Sequence, residues 1–275
     1  MEPSISAGSY IPIFFPAFIA MYLFGYFVVF SRWSLKHRPE ASSCFISLLH
    51  GTPAAIMATF AIDPHSQPGF VSFTAYFQNL ISLFHDIITV DFHSDPGFGS
   101  HNTNIQNLIL DFSMSYFLVD LIHYIVFFPS DLLFIGHHLA TLFVFFTCRY
   151  LVSHGAFALL VLLVLAEVTS FCQNMWTLAN SRRADSPTAV KVYNFFYLPF
   201  FVLYTIVRGF LGPLFVYKMG VYYLSGVADD IIPRWISLSW IVVVAFAILG
   251  SLMWILNLWM ELYRERIGRM EKKTR

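Results

Sequence analysis

The sequence predicts an all-α protein, a polytopic transmembrane helix bundle or barrel with about seven spans. Of its 275 residues, 57% are hydrophobic and only 12% are charged, whereas about 25% of the residues in a soluble domain are charged. The apolar residues are gathered into runs of about 20, which is the length that a helix needs to cross a bilayer. These two observations exclude a soluble globular domain.

Seven apolar runs are predicted to span the membrane: about 11–30, 44–62, 108–128, 132–150, 156–178, 192–217 and 236–260. The first run is followed by basic residues and lacks a cleavage pattern, which indicates a retained anchor. The segment 71–90 is long enough to span but carries His85 and Asp86. It is therefore predicted to be interfacial or re-entrant.

The basic residues predict the orientation of the helices. With seven spans and an N-terminus outside the cytosol, twelve of the sixteen Lys and Arg residues fall on one side. The positive-inside rule then places the C-terminus in the cytosol. The final residues Lys272-Lys273-Thr274-Arg275 resemble a dilysine retrieval signal of endoplasmic reticulum membrane proteins. The alternative is a basic end that lies against anionic lipid headgroups.

Ionisable residues inside the predicted spans mark a candidate site. Asp120, the adjacent His137 and His138, and Glu167 lie in otherwise apolar runs, where a charged side chain costs about 2.5–3.5 kcal/mol on the insertion scale. Together with His50, they are predicted to converge from four helices at one level in the cytosolic half of the membrane. The alternative is that each is a structural interhelical hydrogen-bonding residue.

Helical spacing predicts which of these groups share a face, because residues three or four apart lie side by side. Asp120 and His123 form one such line. The adjacent histidines point about 100° apart, so one is predicted to face a cavity and the other a neighbouring helix. Two further polar lines pair His138 with Thr141, and Glu167 with Ser170 and Asn174.

A double histidine also raises the question of a metal. Membrane di-iron enzymes use about eight histidines in several clusters, a set that this chain lacks. The sequence therefore predicts no metal at His137 and His138.

The residues and their order resemble the TLC domain. The resemblance rests on Ser-Tyr-Phe-x-x-Asp at 115–120, His-His-x-x-Thr at 137–141, Glu167, and Phe201 with Arg208 and Pro213. Arg38, followed by Ser47 and by His50 with Gly51, resembles the entry of the smaller family members. The resemblance to the TLC domain divides the chain into an N-terminal anchor span (1–35), a TLC-like domain (36–262) and a basic cytosolic tail (263–275).

The resemblance implies a helical barrel around a lipid-sized cavity in the endoplasmic reticulum membrane. In ceramide synthases of this family, the histidine pair and two downstream aspartates carry acyl transfer. Here Glu167 matches the first aspartate, but Ser170 and Asn174 replace other acidic residues. The chain therefore resembles the smaller members linked to membrane lipid composition more than the ceramide synthases.

Two functions are predicted from this pattern. The first is binding of a lipid or acyl chain in an intramembrane cavity, with a contribution to membrane lipid homeostasis. The alternative is an acyl-CoA-dependent N-acyltransferase. A third hypothesis, a receptor for secretory cargo, rests on the dilysine tail alone. The expected partners are membrane lipids, and the alternative function would use acyl-CoA as its substrate. No cofactor and no nucleic acid are expected. The sequence leaves open whether the protein forms a homodimer.

The candidate residues divide by role. Those with a catalytic role, if there is one, are His137, His138, Glu167 and Asp120. Those expected to line the lipid cavity are His50, His123, Thr141, Ser170, Asn174 and Arg208.

Overall fold

The computed structural model describes residues 8–62, 72–89 and 97–274. This part of the chain is helical, and its one β-type pairing is an isolated bridge between His101 and His154. The α-helices are α1 (Ile11–Phe24), α2 (Arg38–Ala61), α3 (Phe73–Thr89), α4 (Asn104–Phe127), α5 (Leu132–Phe146), α6 (Ala156–Glu167), α7 (Ser170–Ser181), α8 (Pro187–Ile206), α9 (Gly212–Leu224) and α10 (Arg234–Thr274). Three π-helical turns continue α1, α5 and α8: π1 (Gly25–Val29), π2 (Thr147–Val152) and π3 (Val207–Leu211).

Among the described residues, seven helical segments are long and apolar enough to cross a membrane, which agrees with the predicted all-α fold of about seven spans. They are Ile11–Val29, Arg38–Ala61, Asn104–Phe127, Leu132–Val152, Ala156–Ser181, Pro187–Leu224 and Arg234–Arg264. The helix α3 is not among the seven. The ends of the predicted segment 71–90 lie outside the described residues.

Several helices extend beyond the apolar runs that predicted them. The second begins at Arg38 rather than at residue 44, because Pro39 occupies the first turn, where its missing N–H has no cost. The sixth span occupies 187–224 rather than 192–217, and α10 continues past residue 260 to Thr274. Hydropathy marks the part of a helix inside lipid, whereas the helix itself continues into the polar interface.

Consecutive spans run in opposite directions, so the loops collect at two ends of the bundle. The N-terminal end holds residues 8–10, 97–103, 153–155 and 225–233. The basic end holds 30–37, 128–131 and 182–186, where the guanidinium of Arg182 lies 5.1 Å from the ring centre of Trp33. The central helices α4 and α6 are the most buried spans, while the first and last spans lie largely at the outside.

The fifth span is broken, whereas the sequence predicted one continuous helix over 156–178. The helix α6 ends at Glu167, and α7 begins at Ser170 after a two-residue turn. This break puts the only carboxylate of that span at a helix terminus. The π turn after α8 similarly carries Arg208, and π turns inside helices often mark functional sites.

Candidate functional site

The first half of the site joins α4 to α5 through Asp120 and His138. Asp120 Oδ2 lies 2.8 Å from His138 Nε2, and both side chains are about 5% exposed. The hydroxyl of Ser43, from α2, donates to Asp120 Oδ1 at 2.6 Å. A carboxylate inside a bilayer needs such partners. Three helices therefore meet at Asp120.

His138 is bonded through both ring nitrogens. Its Nδ1 lies 2.7 Å from the carbonyl oxygen of Phe134, and because a carbonyl only accepts, Nδ1 carries a proton and donates. Its Nε2 faces Asp120 at 2.8 Å. No ring nitrogen of His138 is left for a substrate, so in this arrangement the residue holds two helices together.

His137 differs from His138 in its exposure and in its hydrogen bonding. Its side chain is exposed, and the two imidazole planes stand at 87° with ring centres 5.7 Å apart. Its backbone carbonyl accepts from the Thr141 hydroxyl at 2.9 Å, but its ring makes no hydrogen bond within the described part of the chain. His137 is thus the member of the pair whose nitrogens are open to a ligand.

The second half of the site places His50 beside Glu167. His50 is fully buried, and its ring stacks on Tyr116 with centres 4.1 Å apart and planes 8° apart. Its Nε2 bonds to the Ser113 hydroxyl at 3.0 Å. Its Nδ1 lies 4.0 Å from Glu167 Oε1, too far for a hydrogen bond. Within the described residues this Nδ1 has no hydrogen-bond partner.

Glu167 is fixed by its own turn and by a glycine on α2. The Ser170 hydroxyl donates to Glu167 Oε2 at 2.6 Å. A Cβ added to Gly51 would lie 2.5 Å from that oxygen and 3.0 Å from the Ser170 Cβ. Only glycine leaves room for the carboxylate here. In the sequence Gly51 is noted only through its resemblance to the smaller family members, so this packing role was not predicted.

The side chains of Asn174 and Ser170 are engaged in hydrogen bonds within the protein. The amide of Asn174 donates to the Ser47 hydroxyl at 2.8 Å, which ties α7 to α2, and to the Ser170 carbonyl at 2.9 Å. Both side chains are buried. The polar line predicted on this helix is therefore occupied by bonds within the protein.

Two aromatic residues of α4 connect the halves of the site. Tyr116 stacks on His50 and directs its hydroxyl to Asp120 Oδ2 at 3.5 Å. The ring of Phe117 contacts His50 and His138 edge-on, with ring centres 5.6 and 5.5 Å away. The structure thus brings together polar groups from α2, α4, α5 and α6, the four helices that the sequence predicted.

Two remaining candidates lie at the edges of this cluster. His123 faces α1, where its Nδ1 bonds to the Tyr22 hydroxyl at 2.8 Å, so it is separate from the histidine pair. Arg208 donates from Nη2 to the Ala166 carbonyl at 2.5 Å, which pins π3 against the end of α6. Its charge is within electrostatic range of both His137 and Glu167.

A buried ion pair near the N-terminal end was not predicted. Arg149 Nε lies 3.4 Å from Asp111 Oδ1, and the two side chains are 7% and 0% exposed. Asp111 also accepts from the Tyr150 hydroxyl and from the Tyr10 backbone N–H, each at 2.8 Å. The two charged residues are 38 positions apart at the ends of separate runs, so spacing alone gave no signal.

The first half of α5 has an open side. Leu132, Leu133 and Leu139 are 74%, 71% and 54% exposed. The other end of this span is held to α10, where Trp240 Nε1 donates to the Thr147 hydroxyl at 2.8 Å. Apolar surface of this kind, next to the free ring of His137, is suited to contact with acyl chains.

The fold and the site define an α-helical multi-pass membrane protein with a histidine–carboxylate cluster inside the membrane. The sequence profile described as TLC domain matches residues 40–260, so the chain belongs to the TLC-domain family. It is 51% identical over 270 residues to the TLC domain-containing protein At5g14285 from Arabidopsis thaliana, covering 96% of this chain and 95% of that protein. No solved structure matches the chain.

Proposed function

We propose that this protein binds a lipid or acyl chain inside the membrane, next to His137, and contributes to membrane lipid homeostasis. The observation that carries the proposal is the uneven bonding of the histidine pair. His138 is engaged at both ring nitrogens, whereas His137 is exposed beside an open apolar helix face.

The bonding of the cluster favours binding over group transfer. A histidine that acts as a nucleophile or general base needs a free nitrogen and an orienting partner. His138 has the partner, Asp120, but no free nitrogen. His137 has free nitrogens but no hydrogen-bonded carboxylate among the described residues. Neither histidine therefore combines a free nitrogen with an orienting carboxylate.

The surroundings of His137 suit an amphiphile. The exposed leucines of α5 offer apolar contact for its chain. Arg208 is half-buried, and its Nε has no hydrogen-bond partner within the described residues. A polar or anionic headgroup between His137 and Arg208 would satisfy donors that are otherwise costly to leave unpaired in a membrane.

The proposed location follows from charge. The basic end carries the loops with Arg32, Lys36, Arg182 and Arg183 as well as the C-terminal helix, so we place it in the cytosol. A cytosolic C-terminus would expose Lys272 and Lys273 as a retrieval signal, and we assign the protein to the endoplasmic reticulum membrane. The proposed partners are membrane lipids, and no cofactor is required.

The test is intact-mass spectrometry of the purified protein after incubation with a long-chain acyl-CoA. His137→Ala and His138→Ala variants are treated in parallel. We expect the unmodified protein mass in all three proteins, because the lipid is held without a covalent bond, and we expect less lipid to be released on denaturation from His137→Ala than from the other two. A covalent acyl adduct on His137 that is lost in His137→Ala would contradict the proposal and establish acyl transfer.

A further inference from the structure

Two histidines outside the proposed lipid site face each other at the N-terminal end. His101 precedes α4 and His154 precedes α6. Their ring centres are 4.9 Å apart, with planes at 78°. His101 is exposed and His154 half-buried, so solutes on that side of the membrane reach both rings.

Each of these rings is anchored through the same nitrogen. His101 Nδ1 lies 2.9 Å from the Asn102 carbonyl oxygen, and His154 Nδ1 lies 2.7 Å from the Val152 carbonyl oxygen. Both Nδ1 atoms therefore carry the proton and donate. The protons of the neutral rings are thereby placed on Nδ1, which leaves a lone pair on each Nε2. This is the arrangement in which metal-binding histidines are held.

The two loops are pinned to each other, so the rings stay paired without a ligand. Asn102 N donates to the Ser153 carbonyl at 2.9 Å, and Gly155 N donates to the Ser100 carbonyl at 3.1 Å. The Asn102 side chain adds bonds to the Cys148 carbonyl at 3.1 Å and from the Ala156 N–H at 2.9 Å. A site on such a frame needs little ordering when a ligand binds.

The separation of the rings fits one shared ion. A metal about 2.0–2.1 Å from each Nε2 lies about 3.2 Å from each ring centre, and a near-tetrahedral angle then spaces the centres by about 5 Å. The observed 4.9 Å agrees with this spacing. Imidazole nitrogens suit Zn²⁺ and Cu²⁺.

We propose that His101 and His154 form a two-histidine site for a divalent transition-metal ion, Zn²⁺ or Cu²⁺, at the N-terminal end. Among the described residues no group of three or more His, Cys, Asp or Glu side chains could hold a metal. The ion takes two of its ligands from these imidazoles. It joins the loop before α4 to the loop before α6. This inference does not depend on the proposed lipid function.

The test uses the full chain purified without a histidine tag. Isothermal titration with Zn²⁺ gives the affinity, and electron paramagnetic resonance with Cu²⁺ reports the nitrogen ligands. The variants are His101→Asn and His154→Asn, because the asparagine amide keeps a donor near the Nδ1 position but removes the Nε2 ligand. His85→Ala, which removes an exposed histidine on α3, is the matched control.

We expect one equivalent of metal with two nitrogen ligands in the native protein and in His85→Ala. Each asparagine variant should weaken binding at least about tenfold, since even the loss of an outer partner of a ligand costs 10–100-fold. His154→Cys should bind Zn²⁺ more tightly than His154→Asn, because cysteine supplies a thiolate ligand. Unchanged binding in both asparagine variants, or no stoichiometric binding in the native protein, would overturn the proposal.

Discussion

Two groups of ionisable residues in this protein differ in how completely they are hydrogen-bonded. Near the N-terminal end, Asp111 is matched by Arg149, Tyr150 and the Tyr10 backbone. At the proposed lipid site, hydrogen bonding is incomplete: among the described residues, one nitrogen of His50 has no partner and the ring of His137 makes no hydrogen bond. The residues of the first group bond to one another, whereas the second group has nitrogen atoms that can still bind a ligand.

The difference separates stability from function. Removing one member of a buried ion pair strongly destabilises the folded protein, because the charge of the other member remains buried without a counter-charge. A side chain that only meets a ligand can be removed with little effect on folding. We therefore expect substitutions of Asp111 and Arg149 to act on stability. Within the proposed lipid site, substitutions of fully hydrogen-bonded residues should affect folding, and substitutions of residues with free nitrogens should affect ligand binding.

The largest loss of stability is expected for Arg149→Leu. It leaves Asp111 buried without its counter-charge and should lower the free energy of unfolding by about 3–5 kcal/mol. Chemical denaturation in detergent micelles measures the effect. The double variant Asp111→Asn with Arg149→Leu should recover part of the loss. A single variant as stable as the native protein would show that the pair is not structural.

His138→Leu should have the next largest effect. Asp120 then keeps Ser43 but loses its bond to His138, and an unpaired buried acceptor costs about 2–3 kcal/mol. The same denaturation assay provides the measurement. If His138→Leu were neutral for stability but abolished lipid binding, the division of roles between His138 and His137 would be reversed.

Gly51→Ala tests the close approach between α2 and Glu167. The added Cβ forces Glu167 or Ser170 to move, and overpacking of this kind should cost about 1–2 kcal/mol. Gly250→Ala is the matched control, because nothing lies within 4 Å of its added Cβ. There the gain in helix propensity should stabilise the protein by up to about 1 kcal/mol. Opposite signs at the two glycines support the packing; equal effects would refute it.

The sequence predicts the fold well because hydropathy along one helix carries most of the information. The seven apolar runs and the polar residues inside them are visible without knowing how helices pack. Convergence of Asp120, His138, His50 and Glu167 could also be expected, because alternating helix directions fix the depth of each residue in a span.

Features that depend on contacts between distant segments could not be predicted in this way. The ion pair of Asp111 with Arg149 joins two span ends whose register is set by packing. The break after Glu167 has no proline or glycine to mark it. Which histidine of the adjacent pair is bonded depends on where α4 lies beside α5. Spacing indicated that the two rings diverge and that one of them faces a neighbouring helix, but not which one.

The role of His137 is tested most directly by the amount of lipid that co-purifies with His137→Ala. Because the side chain is exposed, this variant should change the free energy of unfolding by less than about 0.5 kcal/mol. Lipid bound per protein molecule is measured by mass spectrometry, with His85→Ala as the control. We predict a clear loss of bound lipid in His137→Ala alone. Equal lipid in the two variants and the native protein would contradict the central claim.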